Sequence, residues 1–401
     1  MTNHAAGLTL RSSVTGARQI AIVGIVFGVL AFWTAIPPFE SRSVALPFLF
    51  GILAVAAGIW GVTRGIGRVA WGAVASGVLG IALGVLATRS SAGNLEVVFN
   101  ASLIASMLVF ATPLTFGAIG GMVSERSGVV NVGLEGMMLM GAFWGVYGAD
   151  KTGTWVGGLV FALVAGGGFG LLHAFWAIHL RADQIVSGIA INFLALGVTG
   201  YFFEQLYHGQ NIPAGVSTVP NVKLPVVSGW TFIGPAIGDL NLLVWLGLLL
   251  VPASFVVLFK TAIGLRIRAC GEHPRAADTV GIDVYAIRYA AVITSGMLAA
   301  LGGAYLSIGF GGGSFTENMT EGRGFIALAA MIFGNWRPFG AWGAALLFGI
   351  STAIAYRLQV YSASAGILFQ ALPYILTLIA VAGVIGRSTP PAADGRPYVK
   401  Q

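Results

Sequence analysis

The segment GDLNLLVWLGLLLVPASFVVLF at residues 238–259 decides the fold class. After Asn241 it continues without a charged residue to Phe259, and an α-helix needs about 20 apolar residues to cross the hydrocarbon core of a membrane. Similar segments recur along the chain, so the sequence predicts an all-α, polytopic membrane helix bundle of about twelve spans. The predicted segments are 19–36, 44–63, 69–87, 98–118, 132–149, 154–178, 185–207, 238–259, 286–309, 322–335, 339–356 and 364–386, of which 322–335 is short enough to be re-entrant.

The composition supports this fold class. Hydrophobic residues make up 57% of the chain and charged residues 9%, whereas soluble domains carry about 25% charged residues. The mean hydropathy is +0.87. The 59 glycines would weaken soluble helices, but small residues let helix backbones approach closely inside lipid. These features indicate a packed bundle of membrane helices.

The net charge of +7 comes from scattered basic residues. They form no dense basic run, which argues against a nucleic-acid partner. With twelve spans and the N-terminus inside, 15 of the 21 Lys and Arg lie in cytoplasmic regions and 6 lie outside. A miscounted span would move every later loop to the other side, so this bias predicts that both termini are cytoplasmic.

Intramembrane polar residues divide the chain into regions. They are nearly absent before the polar stretch that follows Arg89, and they recur after it. The C-terminal residues include several prolines and a glycine, a composition that is typical of a disordered tail. We predict a cytoplasmic tail at 1–18, an accessory three-helix module at 19–95, a core of about nine spans at 96–388 and a disordered cytoplasmic tail at 389–401.

The charged loop at 260–288 contains a predicted short helix. Pro274 suits its first position, Glu272 favours its positive end and Gly281 suits its C-terminal cap. Such a helix could dock in a groove of a cytoplasmic partner; the alternative is an ordinary amphipathic loop. The predicted docking residues are Gly271, Glu272, Pro274, Arg275, Ala276, Ala277 and Gly281.

Polar residues inside the spans are candidates for a solute pathway. Asn131 and Glu135 are four residues apart and share a helix face. Gln184 and Asn192 belong to a second stripe of small and polar residues. Intramembrane ionisable residues suggest function, but the same residues could instead hold helices together. Both alternatives remain open on sequence.

Several kinds of chemistry lack their motifs. None of the four lysines follows a glycine, so the chain has no phosphate-binding P-loop. The five histidines show no metal-ligand spacing, and the single cysteine, Cys270, permits no internal disulfide. We therefore predict no catalytic residue, no metal site and no bound cofactor, and expect that the protein is not an enzyme.

Four stretches resemble the permease family of ABC importers for simple sugars and nucleosides, which is related to ribose and branched-chain amino acid permeases. They are IGGMVSERSGVVNVGLEGMMLMGAF at 119–143, DQIVSGIAINFLALG at 183–197, IGLRIRACGEHPRAADTVGIDV at 263–284 and GRGFIALAAMIFGNWRPFGAWGAALLFG at 322–349. The resemblance implies a cytoplasmic ATPase that uses ATP, a second permease chain, and an extracytoplasmic binding protein or lipoprotein. It also implies that the 271–281 loop is the ATPase-coupling helix.

The resemblance implies import of a nucleoside or simple sugar through the inner or plasma membrane. Asparagine and glutamine could bind sugar hydroxyls and base edges, and aromatic rings could contact base faces, so Phe143, Trp144 and Phe193 join the pathway candidates. The alternatives are an ion-coupled secondary transporter of a small polar solute, for which Glu135 and Glu204 are the candidates, a lipid-modifying membrane enzyme, and a scaffold.

Overall fold

A computed structural model describes residues 19–34, 43–89, 100–209, 215–231, 233–359 and 389–400. The predicted N-terminal tail and the predicted segment 364–386 lie outside these residues. In chain order the elements are α1 (Gln19–Trp33), α2 (Ala45–Thr63), α3 (Arg68–Arg89), α4 (Ser102–Arg126), α5 (Leu134–Thr152), α6 (Trp155–His179), α7 (Gln184–Tyr207), β1 (Asn221–Lys223), α8 (Pro225–Ser228), α9 (Ile233–Ile237), β2 (Asp239–Asn241), α10 (Leu242–Lys260), α11 (Ala262–Glu272), α12 (Pro274–Thr279), α13 (Val284–Phe310), α14 (Arg323–Phe333) and α15 (Pro338–Gln359). The last turns of α6 and α13 are π-helical.

The predicted all-α membrane fold is confirmed. Seven of the described helices are long and apolar enough to cross a membrane, and shorter apolar helices accompany them. Each predicted span from 19–36 to 339–356 coincides with a helix. The fourth extends beyond its predicted end, because Ser124, Glu125 and Arg126 continue the last turn of α4.

The chain forms two compact units, Met1–Leu103 and Ile104–Gln401. In the first, α2 and α3 pack through small residues. A Cβ atom at Gly58 would overlap Val74, and one at Gly51 would overlap Ile81. Close backbone approach of this kind is how membrane helices associate without a hydrophobic driving force.

In the second unit, α5, α6 and α13 pack against one another. Gly166 of α6 faces Gly296 of α13, and a Cβ atom at either position would overlap the other's carbonyl oxygen. A buried cluster that includes Phe143, Tyr305 and Phe315 fills the space beside them. The strands β1 and β2 form a two-stranded antiparallel sheet before α10.

The helix α14 is too short to span the bilayer. Its 11 residues extend about 16 Å at about 1.5 Å per residue, roughly half of the hydrocarbon thickness. The irregular segment 311–322 precedes it, and together they lead from the end of α13 back to Trp336, which contacts Arg126 at the end of α4. Segment 322–335 is therefore a half-helix that, together with the irregular backbone before it, connects the end of α13 to the end of α4.

Candidate functional site

The backbone between α4 and α5 is not helical at residues 127–133, and polar side chains bind its free groups. The Asn131 side chain is fully buried. Its Oδ1 accepts a hydrogen bond from the Gly133 N–H at 3.0 Å, and its Nδ2 donates to Ser295 Oγ on α13 at 2.9 Å. Asn131 thus joins the interrupted backbone to α13.

Two side chains of α7 bind the same interruption. Gln184 Oε1 accepts from the Val130 N–H at 2.7 Å. Asn192 Oδ1 accepts from the Gly136 N–H at 2.8 Å, and its Nδ2 donates to the Val132 carbonyl at 3.0 Å. The Gln184 side chain is 3% exposed, and its Nε2 has no partner within the described residues. That amide is therefore a buried donor whose hydrogen bond the described residues do not satisfy.

The Glu135 carboxylate binds the beginning of α14. Its Oε1 accepts from the Gly322 N–H at 2.8 Å and its Oε2 accepts from the Gly324 N–H at 2.6 Å. A helix leaves its first N–H groups unpaired and carries partial positive charge there. Glu135 therefore compensates the N-terminus of the half-helix α14. Asn131, Glu135, Gln184 and Asn192 therefore all bind backbone that lies outside helices or at the ends of helices.

The three predicted aromatic residues do not form one surface. Phe143 is buried and lies edge-on to Trp144 and Phe315, while Phe193 is 70% exposed on α7. Successive helix residues are separated by about 100°. Since Asn192 points at α5, its neighbour Phe193 points elsewhere. Phe193 therefore lies apart from Phe143 and Trp144, and a pathway role for these three residues stays a prediction.

The short helix predicted in the charged loop is present as α12. Pro274 occupies its first position, and Gly281 follows it with φ +83°, a conformation that favours glycine. Arg275 and Ala276 are exposed. Ala277 is not available to a partner, because it is 3% exposed and packs against Cys270.

The residues before α12 are fastened to the end of α4. Gly271 is buried, and a Cβ atom there would overlap the Arg126 carbonyl oxygen. Glu272 is exposed and its Oε1 lies 4.0 Å from Arg126 Nη1. Arg126 also donates from Nε and Nη2 to the Trp336 carbonyl, at 3.1 and 2.8 Å. The end of α11, just before α12, and the end of α14 therefore share one anchoring residue, Arg126.

The C-terminal tail was predicted to be disordered, and residues 389–400 instead pack against this region. Ala393 and Tyr398 are 7% and 5% exposed. The Ala393 N–H donates to the Gly271 carbonyl at 2.8 Å. Burial raises the pKa of Asp394, which lies beside Glu125, to about 7, and burial raises the pKa of the Cys270 thiol to about 11. The composition of the tail does not predict this packing, because the residues that the tail contacts are distant in sequence.

Sequence reasoning also missed Arg288, which is 1% exposed. Its Nε donates to the Ser127 carbonyl at 3.1 Å, and its Nη1 donates to the Arg396 carbonyl at 3.1 Å. In the sequence Arg288 looks like an ordinary interfacial charge at the start of a span. A buried arginine that is bound by carbonyl oxygens from separate segments has no local sequence signal.

Comparison with known proteins identifies the family. Residues 103–381 match the family described as branched-chain amino acid transport system / permease component. The chain is 41% identical over 309 residues to the guanosine ABC transporter permease protein NupQ of Bacillus subtilis, covering 74% of this chain and 96% of NupQ. It is 39% identical over 313 residues to the nucleoside ABC transporter permease protein NupC of Lactococcus lactis, with the same two coverages.

A more distant relative carries the name of a sugar permease. The chain is 35% identical over 268 residues to the putative glucose ABC transporter permease protein TsgC13 of Haloferax volcanii, covering 66% of this chain and 80% of TsgC13. No solved structure matches. The family match covers most of the chain, and the described helices fit a multi-pass membrane protein. The chain therefore belongs to the branched-chain amino acid transport system / permease component family.

Proposed function

We propose that this chain is the permease subunit of an ABC importer that carries a nucleoside across the inner or plasma membrane. A separate cytoplasmic ATPase hydrolyses the ATP, a second permease chain completes the pathway, and an extracytoplasmic binding protein delivers the solute. The observation that carries the proposal is α12, a capped helix with exposed Arg275 and Ala276, in a chain with two relatives named as nucleoside-type permeases.

The mechanism is alternating access. Closure of the ATPase dimer displaces α12, and the displacement reaches α10 through α11 and reaches α13 directly. The helices then rearrange around the broken backbone at 127–133. This rearrangement exposes to the solute the Gln184 Nε2, which is buried and has no partner among the described residues. Guanosine presents ribose hydroxyls and base edges that an amide can bind, and these groups need partners in a pathway that excludes water.

A second candidate solute is glucose, because TsgC13 is named as a putative glucose permease. The two solutes separate in a single assay. In membrane vesicles from the native cell, loaded with ATP, we expect uptake of radiolabelled guanosine that an uncoupler does not inhibit and that unlabelled glucose does not compete with. Uptake of radiolabelled glucose in vesicles that take up no guanosine would assign the sugar, and abolition of uptake by the uncoupler would favour an ion-coupled transporter.

The proposed coupling role of α12 can be tested with one charge-reversal variant and a control variant that carries the same change. We expect Arg275→Glu to reduce ATP-driven uptake about tenfold or more, because a charge reversed at an interface costs several kcal/mol of association. The control is Arg266→Glu, which makes the same change at an exposed residue of α11. Normal uptake by Arg275→Glu, or equal loss in both variants, would contradict the assignment.

A further inference from the structure

The C-terminal tail binds both sides of the coupling loop. On one side, the Ala393 N–H donates to the Gly271 carbonyl at 2.8 Å and the Ala392 N–H donates to Glu272 Oε2 at 3.2 Å. On the other side, Lys400 Nζ lies 3.9 Å from Asp278 Oδ1. The tail therefore contacts the last two residues of α11 and one residue of α12.

Between these contacts, Tyr398 packs beneath α12. It is 5% exposed and lies in one buried cluster with Cys270, Ala277 and Val284, which belong to α11, α12 and α13. The Tyr285 hydroxyl donates to the Tyr398 carbonyl at 3.3 Å, and the two rings are 5.5 Å apart. A single tail side chain thus fills the space where three helices meet.

Arg288 joins the tail to the rest of the bundle. Its guanidinium donates to the carbonyls of Ser127 after α4, Arg396 in the tail and Cys270 in α11, at 3.1, 3.1 and 3.5 Å. A buried cation requires compensation for the water that it has lost. Because Arg396 supplies one of these carbonyls, undocking of the tail would leave Arg288 with an unpaired donor.

A second anchor holds the beginning of the tail. The Thr389 N–H donates to Asn335 Oδ1 at 2.9 Å. Asn335 and Trp336 both have positive φ, +54° and +52°, in the turn between α14 and α15. The tail therefore runs from the cytoplasmic end of α14, past the end of α4, to the underside of α12.

We propose that residues 389–400 form a clamp that fixes α12 against α4 and α13, so that displacement of α12 moves the membrane helices. Without the clamp, the loop around a helix of only six residues would absorb part of the displacement. The exposed side of α12, with Arg275 and Ala276, remains free for the cytoplasmic partner. This inference rests on the proposed ATPase coupling for its mechanical consequence, but the docking of the clamp is testable without it.

The chain contains its own reporter of the clamp. Cys270 is the single cysteine, is fully buried and lies against Tyr398. In native membranes that hold the full chain, we expect a polyethylene glycol maleimide to label Cys270 slowly. Tyr398→Ala and truncation after Thr389 should each raise the labelling rate about tenfold or more, because opening exposes the thiol. The control is Val399→Ala, at a neighbouring residue that is 46% exposed, and it should label like the unsubstituted chain.

The role of the clamp in coupling is tested with the protein co-purified with its cytoplasmic ATPase and reconstituted in proteoliposomes. For Tyr398→Ala we expect guanosine uptake per ATP hydrolysed to fall about tenfold, within the range by which mutations along a coupling route act. Wild-type Cys270 labelled as fast as in detergent-unfolded protein would overturn the docked clamp. Fast labelling of Tyr398→Ala with an unchanged uptake-to-ATP ratio would overturn its role in coupling. If the unsubstituted complex hydrolyses ATP without guanosine uptake while Cys270 stays protected, the proposed solute fails and the docked clamp stands.

Discussion

The interrupted backbone before α5 and the coupling loop around α12 are both irregular, yet they satisfy their polar groups differently. Before α5, Gln184 and Asn192 of α7 bind the backbone of residues 130–136 at 2.7–3.0 Å. The Glu135 carboxylate at the start of α5 binds two N–H groups at the beginning of α14, at 2.6 and 2.8 Å. Around α12, the C-terminal tail at 389–400 supplies the contacts. Its backbone N–H groups donate to Gly271 and Glu272, and Lys400 forms an exposed ion pair with Asp278. The first arrangement is costly to break and the second can be released, so we infer that the coupling loop is the more mobile of the two.

The largest expected effect lies at the junction before α5. Glu135→Ala should lower the free energy of unfolding by about 3 kcal/mol or more, because the N–H groups of Gly322 and Gly324 lose a charged acceptor and the Gly324 N–H stays buried. The measurement is the midpoint temperature at which the helical circular-dichroism signal is lost in detergent, because Cys270 reactivity reports the docking of the tail. Glu317→Ala, at an exposed residue of the preceding segment, is the control. Equal melting temperatures for the two variants would show that Glu135 does not hold α14.

A smaller effect is expected on α7. Asn192→Ala removes one acceptor and one donor from the α5 backbone, which should cost about 2 kcal/mol. The adjacent Phe193→Ala changes an exposed side chain and should leave the melting temperature nearly unchanged. Guanosine uptake by both variants adds a second readout. A Phe193→Ala variant that is stable but loses uptake would support Phe193 as a pathway residue.

The sequence predicts the features of this structure that have local signals and does not predict those that depend on distant residues. The hydropathy of each span predicts its helix, and Pro274 and Gly281 predict α12, because these signals are local. The four-residue spacing of Asn131 and Glu135 indicates two polar groups inside the bundle. It could not assign their partners, because Ser295 and Gly322 are distant in sequence. The tail was predicted wrongly for the same reason: the burial of Tyr398 depends on a cluster assembled from three helices.

The smallest effect concerns pH at the coupling loop. In the docked tail, burial raises the pKa of Asp394 from 3.8 to about 7, so docking binds a proton. The favourable contribution is complete below about pH 4 and is lost as the pH rises through about 7. Glu125 lies beside this carboxyl and Arg288 is the nearby cation. Docking should therefore weaken modestly between pH 6 and about 8.

The check for this pH effect is Asp394→Asn, which cannot ionise. At each pH the ratio of Cys270 labelling rates, unsubstituted chain over Asp394→Asn, cancels the ionisation of the thiol itself. We expect this ratio to increase with pH up to about 8, because only the unsubstituted tail acquires a buried charge. A ratio that stays constant would mean that Asp394 does not titrate in the docked tail.

The exposed face of α12 offers the most direct test of ATP-driven coupling. In a Cys270→Ala background, Ala276→Cys places the only thiol on that face. A membrane-impermeant maleimide should label it in inside-out vesicles and not in intact cells, and the bound ATPase should block the labelling. Labelling in intact cells would place α12 on the extracellular side and contradict the coupling assignment.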